Sequence, residues 1–356
     1  MDTKCVLKSI LWIVLYVFIL GTHGAVNEPL WAGEPEPEGR PSKAGQLRTP
    51  WAEKVSAEQP LSEHPRPLMA REDWLCLNGL WEYAVQPRNQ PTAPAQYQGR
   101  ILVPFPVESS LSGVVRPLSP AETLWYRRQF DIPESWKHKL ILLHFDAVDW
   151  ETQVWFNGRF LGTHRGGYDA FCFDITELLR SDGPQELVVS VWDPTDTFWQ
   201  LRGKQSLRPG GCSYSASSGI WQTVWLEAVP AAHLEDVSIR TELREKKGTV
   251  HLKVAGRMPP DHSLRLRMEL RDEEIPVANQ EVAYQVTPSV KQNLVDFYEA
   301  KSTYFAIDTN LTVDPAKPWS PESPHLYDLL LELKDETANT SDRVRSYVAV
   351  REVKTG

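Results

Sequence analysis

The chain has 356 residues, with 38 Lys and Arg against 47 Asp and Glu and a formal charge of −9 at neutral pH. That length suits two domains of ordinary size, and 41% hydrophobic residues are enough for packed cores. An acidic chain without a basic stripe is a poor match for phosphate backbones or anionic lipid, so nucleic acid is not expected as a partner.

Residues 1–24 read as a secretory signal. Lys4 and Lys8 precede an unbroken apolar run, ILWIVLYVFIL at 10–20, and Thr22 and Gly24 then stand at −3 and −1 of a cut between Gly24 and Ala25. The run is about half of the roughly 20 apolar residues a bilayer span needs, so no membrane span is expected after signal cleavage. The expected location is extracellular, or the lumen of the secretory pathway. Of four cysteines, Cys5 leaves with the signal, and Cys76, Cys172 and Cys212 remain. Three widely spaced Cys make neither a disulfide framework nor a zinc site. Buried free thiols are expected, with one bridge among the three left open.

Residues 25–65 form a Pro- and Glu-rich leader, including EPEPEGRPSKAG at 34–45, with little apolar periodicity. Such a composition buries too little surface to offset chain entropy, and a flexible stalk is predicted. From residue 66 short strand-like runs follow at 80–85, 101–103, 124–130, 140–148, 152–156, 168–175, 186–192 and 220–228, with one helical turn near 176–179. Asn157-Gly158 and Gly166-Gly167 punctuate them. The pattern predicts an all-β sandwich or barrel over 66–230. Pro230 marks a boundary. Beyond it Val250, Leu252 and Val254 alternate with polar residues, as do Leu264, Leu266, Met268 and Leu270, and again Leu329, Leu331 and Leu333. Period two over several runs predicts half-buried antiparallel strands, and residues 231–353 fit an immunoglobulin-like β-sandwich.

Six segments carry a resemblance: WLCLNGLWEY at 74–83, ILVPFPVESSLSG at 101–113, LWYRRQFDIP at 124–133, HFDAVDWETQVWFNGRFLGTHRGGYDAFCFDIT at 144–176, SGIWQTVWLE at 218–227 and PWSPESPHLYDL at 318–329. In this order they resemble the front domains of family-2 glycoside hydrolases, the group of β-galactosidases, β-glucuronidases and β-mannosidases. The resemblance implies a galactose-binding-like jelly roll followed by the immunoglobulin-like sandwich. It also implies a catalytic pair of Glu, about 5–5.5 Å apart, on a (β/α)₈ barrel of about 250 residues. Only five residues follow Arg351, so the chain is expected to stop where that barrel would begin and to be inactive alone. Asn27-Glu28, which mimics the family's acid/base pair, sits in the leader and is read as accidental. Where the family often has an Asp before the SGIW-like segment, residues 211–217 carry no carboxylate.

Trp150, Trp155, Trp221 and Trp225 are expected on strands, as packing rather than sugar platforms. Arg127 and Arg128 are expected to pair with Asp146 and Asp149, which would lower the carboxylate pKa values. The long loop from 193 offers Trp199, Arg202, Lys204 and Gln205, with Tyr214 beyond it, as ligand-binding candidates; a merely solvated loop is the competing reading. No GxSxG, phosphate loop or His pair at metal spacing is present, so neither metal nor cofactor is expected. Asn310 and Asn339 head glycosylation sequons. Three functions stay open: a non-catalytic portion that binds glycan or protein, the front of an active β-glycosidase, and a ligand-free extracellular scaffold. A barrel domain or a protein is the partner expected to cover the exposed sandwich face.

Overall fold

The computed structural model describes residues 49–285 and 302–353. Among them every regular element is a strand or a short 3₁₀ turn, and no helix is long and apolar enough to cross a membrane. The expected signal cut at Gly24-Ala25, Asn27-Glu28 and most of the leader lie outside the described residues.

The first sandwich pairs a six-stranded with a four-stranded antiparallel sheet. The larger sheet runs, in spatial order, Gly99–Val103, Gly79–Pro87, Glu122–Phe130, Gln185–Trp192, Glu151–Phe156 and Arg159–Arg165; the smaller runs Trp74–Cys76, Val224–Val229, Leu140–Phe145 and Phe171–Asp174. Alternate side chains from the facing sheets, among them Trp81, Leu124, Tyr126, Phe145, Phe156 and Leu226, fill the space between them. Burial of each contributes about 1.5–3 kcal/mol. The hairpin predicted at Asn157-Gly158 forms. Both residues have positive φ, 50° and 79°, which a type I′ turn requires. The predicted helical turn is the 3₁₀ segment Thr176–Leu178.

The second sandwich packs a three-stranded sheet (His233–Arg244, Lys247–Met258, Thr303–Val313) on a four-stranded one (Ile275–Gln285, Ser263–Asp272, Tyr327–Asp335, Thr340–Val348). The period-two residues named above all point into its core.

A buried charge cluster ties the two sandwiches. Arg71 donates through Nε and NH2 to both carboxylate oxygens of Asp342 (2.9 and 2.8 Å) and through NH1 to Glu227 (2.6 Å). Asp342 lies on the second sandwich and Glu227 on the first. His144 Nε2 stands 3.0 Å from the other Glu227 oxygen and its ring stacks on Trp225. Burial alone would raise the Glu227 pKa, but the His144 hydrogen bond and the Arg71 charge hold it down to about 2.

Several expectations need correction. The last residues of the segment read as a leader are laid on the first sandwich. Pro60 is buried and its carbonyl accepts from Asn78 Nδ2 at 3.1 Å, while His64 packs on Trp74 and Trp225. An aperiodic segment orders when a neighbouring sheet satisfies its carbonyls, which composition does not report. Trp150 and Trp221 sit in bends between strands, not on them. Among the thiols, all free, Cys76 is half-buried but Cys172 and Cys212 belong to exposed residues. Arg127 pairs with Glu82 (2.6 Å) and Arg128 donates to the Leu80 carbonyl (2.6 Å), so neither reaches Asp146 or Asp149. The arginines are on the six-stranded sheet; Asp146 is held instead by Trp225 Nε1 at 2.9 Å.

Candidate functional site

Five strand termini meet at one end of the six-stranded sheet. Pro87 is opposite Glu122, Val191 is opposite Leu124, Trp192 is opposite Glu151, and Glu151 is opposite Arg165. This register places Arg88, Trp192, Trp150, Glu151 and Arg165 along one rim. The loop leaving Trp192 adds Phe198 and Trp199, and together these residues line a cavity of about 330 Å³.

Trp150 is the centre of the aromatic group. Its ring centroid lies 6.0 Å from Trp192, 5.6 Å from Phe198 and 6.4 Å from Trp199, each edge-to-face. Such pairs add about 0.5–1.5 kcal/mol each beyond the area they bury. Trp150 and Trp192 are buried, whereas Trp199 is 80% exposed and leaves an indole face free. The Arg88 guanidinium lies 3.3 Å from the centroid of the Trp192 ring. Arg165 Nε pairs with Glu151 at 2.8 Å. The volume is at the lower end of ligand pockets, about 300–1,000 Å³, and suits a single sugar ring.

Asp193 anchors the loop. It is 1% exposed and accepts from Thr195 N (2.7 Å), Gln200 Nε2 (2.6 Å) and Ser218 Oγ (2.7 Å). The Ser218 N–H is held in turn by buried Glu108 (2.9 Å). Beneath the same loop Asp149 is buried, its Oδ1 without a hydrogen-bond partner. A Cβ on Gly167 would stand 2.5 Å from that oxygen, so the second glycine of the Gly166-Gly167 pair is there for close approach. Burial first, then the charges of Asp193 and Glu108, push the Asp149 pKa up to about 8. Burial likewise raises Glu108 and Asp146. The depressed carboxylates expected for Asp146 and Asp149 are thus reversed: at Asp146 burial outweighs the Trp225 hydrogen bond and the Arg66 charge, and at Asp149 the neighbouring charges are carboxylates.

Of the residues chosen from sequence, Trp199 lines the cavity. Arg202 is occupied by the Asp196 carbonyl (3.1 Å), and Gln205 and Tyr214 pair through their backbones in a two-residue parallel bridge beside Lys204. None of Arg202, Lys204, Gln205 and Tyr214 lines the cavity. Sequence reasoning missed Arg88, Trp150, Glu151, Arg165, Trp192 and Phe198. Trp192 ends the strand predicted at 186–192 and Trp150-Glu151 immediately precedes the one predicted at 152–156, which is the signal that would have found them. Asn310 is exposed on Thr303–Val313, and Asn339 is exposed in the turn before Thr340–Val348 with φ 55°.

A larger cleft, about 880 Å³, opens between the sandwiches. No aromatic ring lines it, and each of its cations already has a carboxylate partner, as in Arg345–Glu72, Lys139–Asp73, Arg343–Glu332 and the Arg267/Arg271 pair on Glu269. It offers neither a stacking face nor a free cation, so the smaller aromatic cavity is the better candidate.

Two family models match the chain: "Glycosyl hydrolases family 2, sugar binding domain" over 97–230 and "Glycosyl hydrolases family 2" over 232–351. Similar proteins include a β-galactosidase of Thermoanaerobacter pseudethanolicus, 27% identical over 59% of this chain and 26% of its own length. A putative β-glucuronidase of Formosa agariphila is 27% identical over 64% of this chain and 25% of its own. The chain therefore spans about a quarter of the length of these relatives. Among solved structures, a β-glucuronidase of Dictyoglomus thermophilum superposes with a TM-score of 0.59 at 20% identity, over 81% of this chain and 46% of its own. That likeness speaks for the fold.

Proposed function

Since the chain belongs to family 2 of the glycosyl hydrolases, we propose that its first sandwich is a saccharide-recognition unit whose binding site is the aromatic cavity at the loop end. The single observation that carries this reading is the exposed indole of Trp199, braced by Trp150 and Phe198 over a cavity the size of one sugar ring. Sugars present apolar C–H faces with a polar rim, and an indole face beside guanidinium and carboxylate groups matches both. A titration of the purified chain with millimolar monosaccharide β-glycosides, followed by tryptophan fluorescence, tests it. Quenching that saturates, and that is lost in Trp199→Ala, is the expected result; no change with any sugar overturns it.

The length of the relatives favours a second reading, in which the same two sandwiches are the front of a longer β-glycosidase. A downstream open frame encoding a barrel in the transcript supports that reading. On either reading the purified chain is expected to show no turnover of aryl β-galactoside, β-glucuronide, β-mannoside or β-glucoside.

A further inference from the structure

We infer that the aromatic cavity selects a sugar ring bearing a carboxylate over a neutral one, an inference that rests on the saccharide-binding reading above. The observation behind it is an unspent guanidinium. The Arg88 guanidinium carbon stands over the Trp192 ring, 3.3 Å from its centroid, a cation–π contact that engages none of its N–H donors in a hydrogen bond. Its side chain has no hydrogen bond or carboxylate partner among the described residues. The cations around the larger cleft are paired, whereas Arg88 lines the smaller cavity unpaired.

The charge count of the rim agrees. Arg88 and Arg165 face a single carboxylate, Glu151, which leaves one positive charge in excess within a chain of net charge −9. Only the Nε of Arg165 engages Glu151, and its side chain is 66% exposed, so its two terminal nitrogens remain available. Asp193 is buried under the loop, held by Thr195, Gln200 and Ser218, and does not line the rim. A guanidinium fork takes a planar carboxylate through two parallel hydrogen bonds. Stacking on Trp192 holds Arg88 in one orientation beforehand, so little side-chain freedom is lost on binding. A ring on Trp199 and a carboxylate on Arg88 then use two residues that line one cavity.

The experiment compares methyl β-D-glucuronide with methyl β-D-glucoside on the full chain by tryptophan fluorescence and calorimetry. The glucuronide is expected to bind about tenfold tighter, with an advantage that shrinks as salt is raised and disappears in Arg88→Gln. Arg88→Gln is expected to keep the wild-type melting temperature, because Arg88 is exposed, and that shows the variant is folded. Equal binding of the two sugars overturns the inference and leaves saccharide recognition standing. A preference that survives both Arg88→Gln and Arg165→Gln also overturns it, because the charge would then be read elsewhere. Binding of neither sugar removes the saccharide reading, and the inference with it.

Discussion

Buried acids are treated one way in the second sandwich and its seam with the first, and the opposite way at the loop end of the first. In the second, Asp342 is gripped by both arms of Arg71, and Asp335 accepts from His262 Nδ1 (2.7 Å) and from two backbone N–H groups. In the first, Glu108 and Asp149 are buried at the loop end without any cation, and each keeps one oxygen unpartnered. The rim above them is where exposed aromatic surface and an unpaired arginine collect. Regular strands and the Arg71–Asp342 match make the second sandwich a scaffold, while the first leaves Glu108 and Asp149 without a cation near its aromatic rim. Local inconsistencies of this kind concentrate at functional sites rather than across a whole fold.

The sharpest way to test the matched side is to unmatch it. Arg71→Met leaves Glu227 and Asp342 buried and facing each other without their cation. The expected loss is about 3–5 kcal/mol, read as a fall in the urea midpoint. Replacing all three residues with apolar ones of similar size should return most of it, since a buried ion cluster contributes less than its removal costs. A loss below about 1 kcal/mol for Arg71→Met would show that solvent already screens the seam. The pH response of this side follows from Glu227, whose folded pKa of about 2 lies below its ordinary 4.5. Its contribution is therefore present above the ordinary value and drains away as pH falls toward 2.

Asp149 has the opposite sign. Its folded pKa, about 8, lies above the ordinary 3.8. The folded state keeps a proton that the unfolded chain has released, so the contribution is full below 3.8 and is lost as pH rises to about 8. Asp149→Asn supplies a neutral side chain of the same shape. It is expected to stabilise the protein by about 1–3 kcal/mol at pH 8 and to do nothing at pH 4. The melting temperature from pH 4 to 9 reads this directly. If the wild-type curve shows no decline between pH 5 and 8, the comparison between the two sandwiches loses its electrostatic half.

The scaffold was the more legible half. Alternation places Leu264, Leu266, Met268 and Leu270 on the core face by geometry alone, and Asn157-Gly158 dictates its own turn. Both depend on neighbours in sequence. The pairing of Arg127 with Glu82 depends instead on which strands lie side by side, 45 positions apart, and nothing local reports that. The same holds for the binding rim. Arg88, Trp150 and Trp192 are distant in sequence and meet only because Gly79–Pro87, Glu151–Phe156 and Gln185–Trp192 bring the relevant ends to one side of the sheet. Trp199 was legible because a tryptophan in a polar loop stands out without any topology. Arg202, Lys204, Gln205 and Tyr214 share its loop but face different tasks, since proximity in an irregular segment does not fix direction.

The smallest effect on stability should come from the residue with the largest effect on binding. Trp199 is 80% exposed, with its ring edge-to-face on Trp150 and tilted against Phe198. Truncating an exposed side chain removes little buried area, so Trp199→Ala is expected to shift stability by no more than about 0.5 kcal/mol. Trp150, buried among the same rings, is the control, and Trp150→Ala is expected to cost about 3–5 kcal/mol. If Trp199 is a stacking face for a sugar ring, its loss removes saccharide binding while the melting temperature stays in place. If the loop is merely solvated, Trp199→Ala changes neither quantity. A large fall in stability would place Trp199 in the fold rather than in recognition, and would move the first sandwich closer to the second in character. Fluorescence titration and thermal melting of the two variants separate these outcomes, because only a recognition residue uncouples binding from stability.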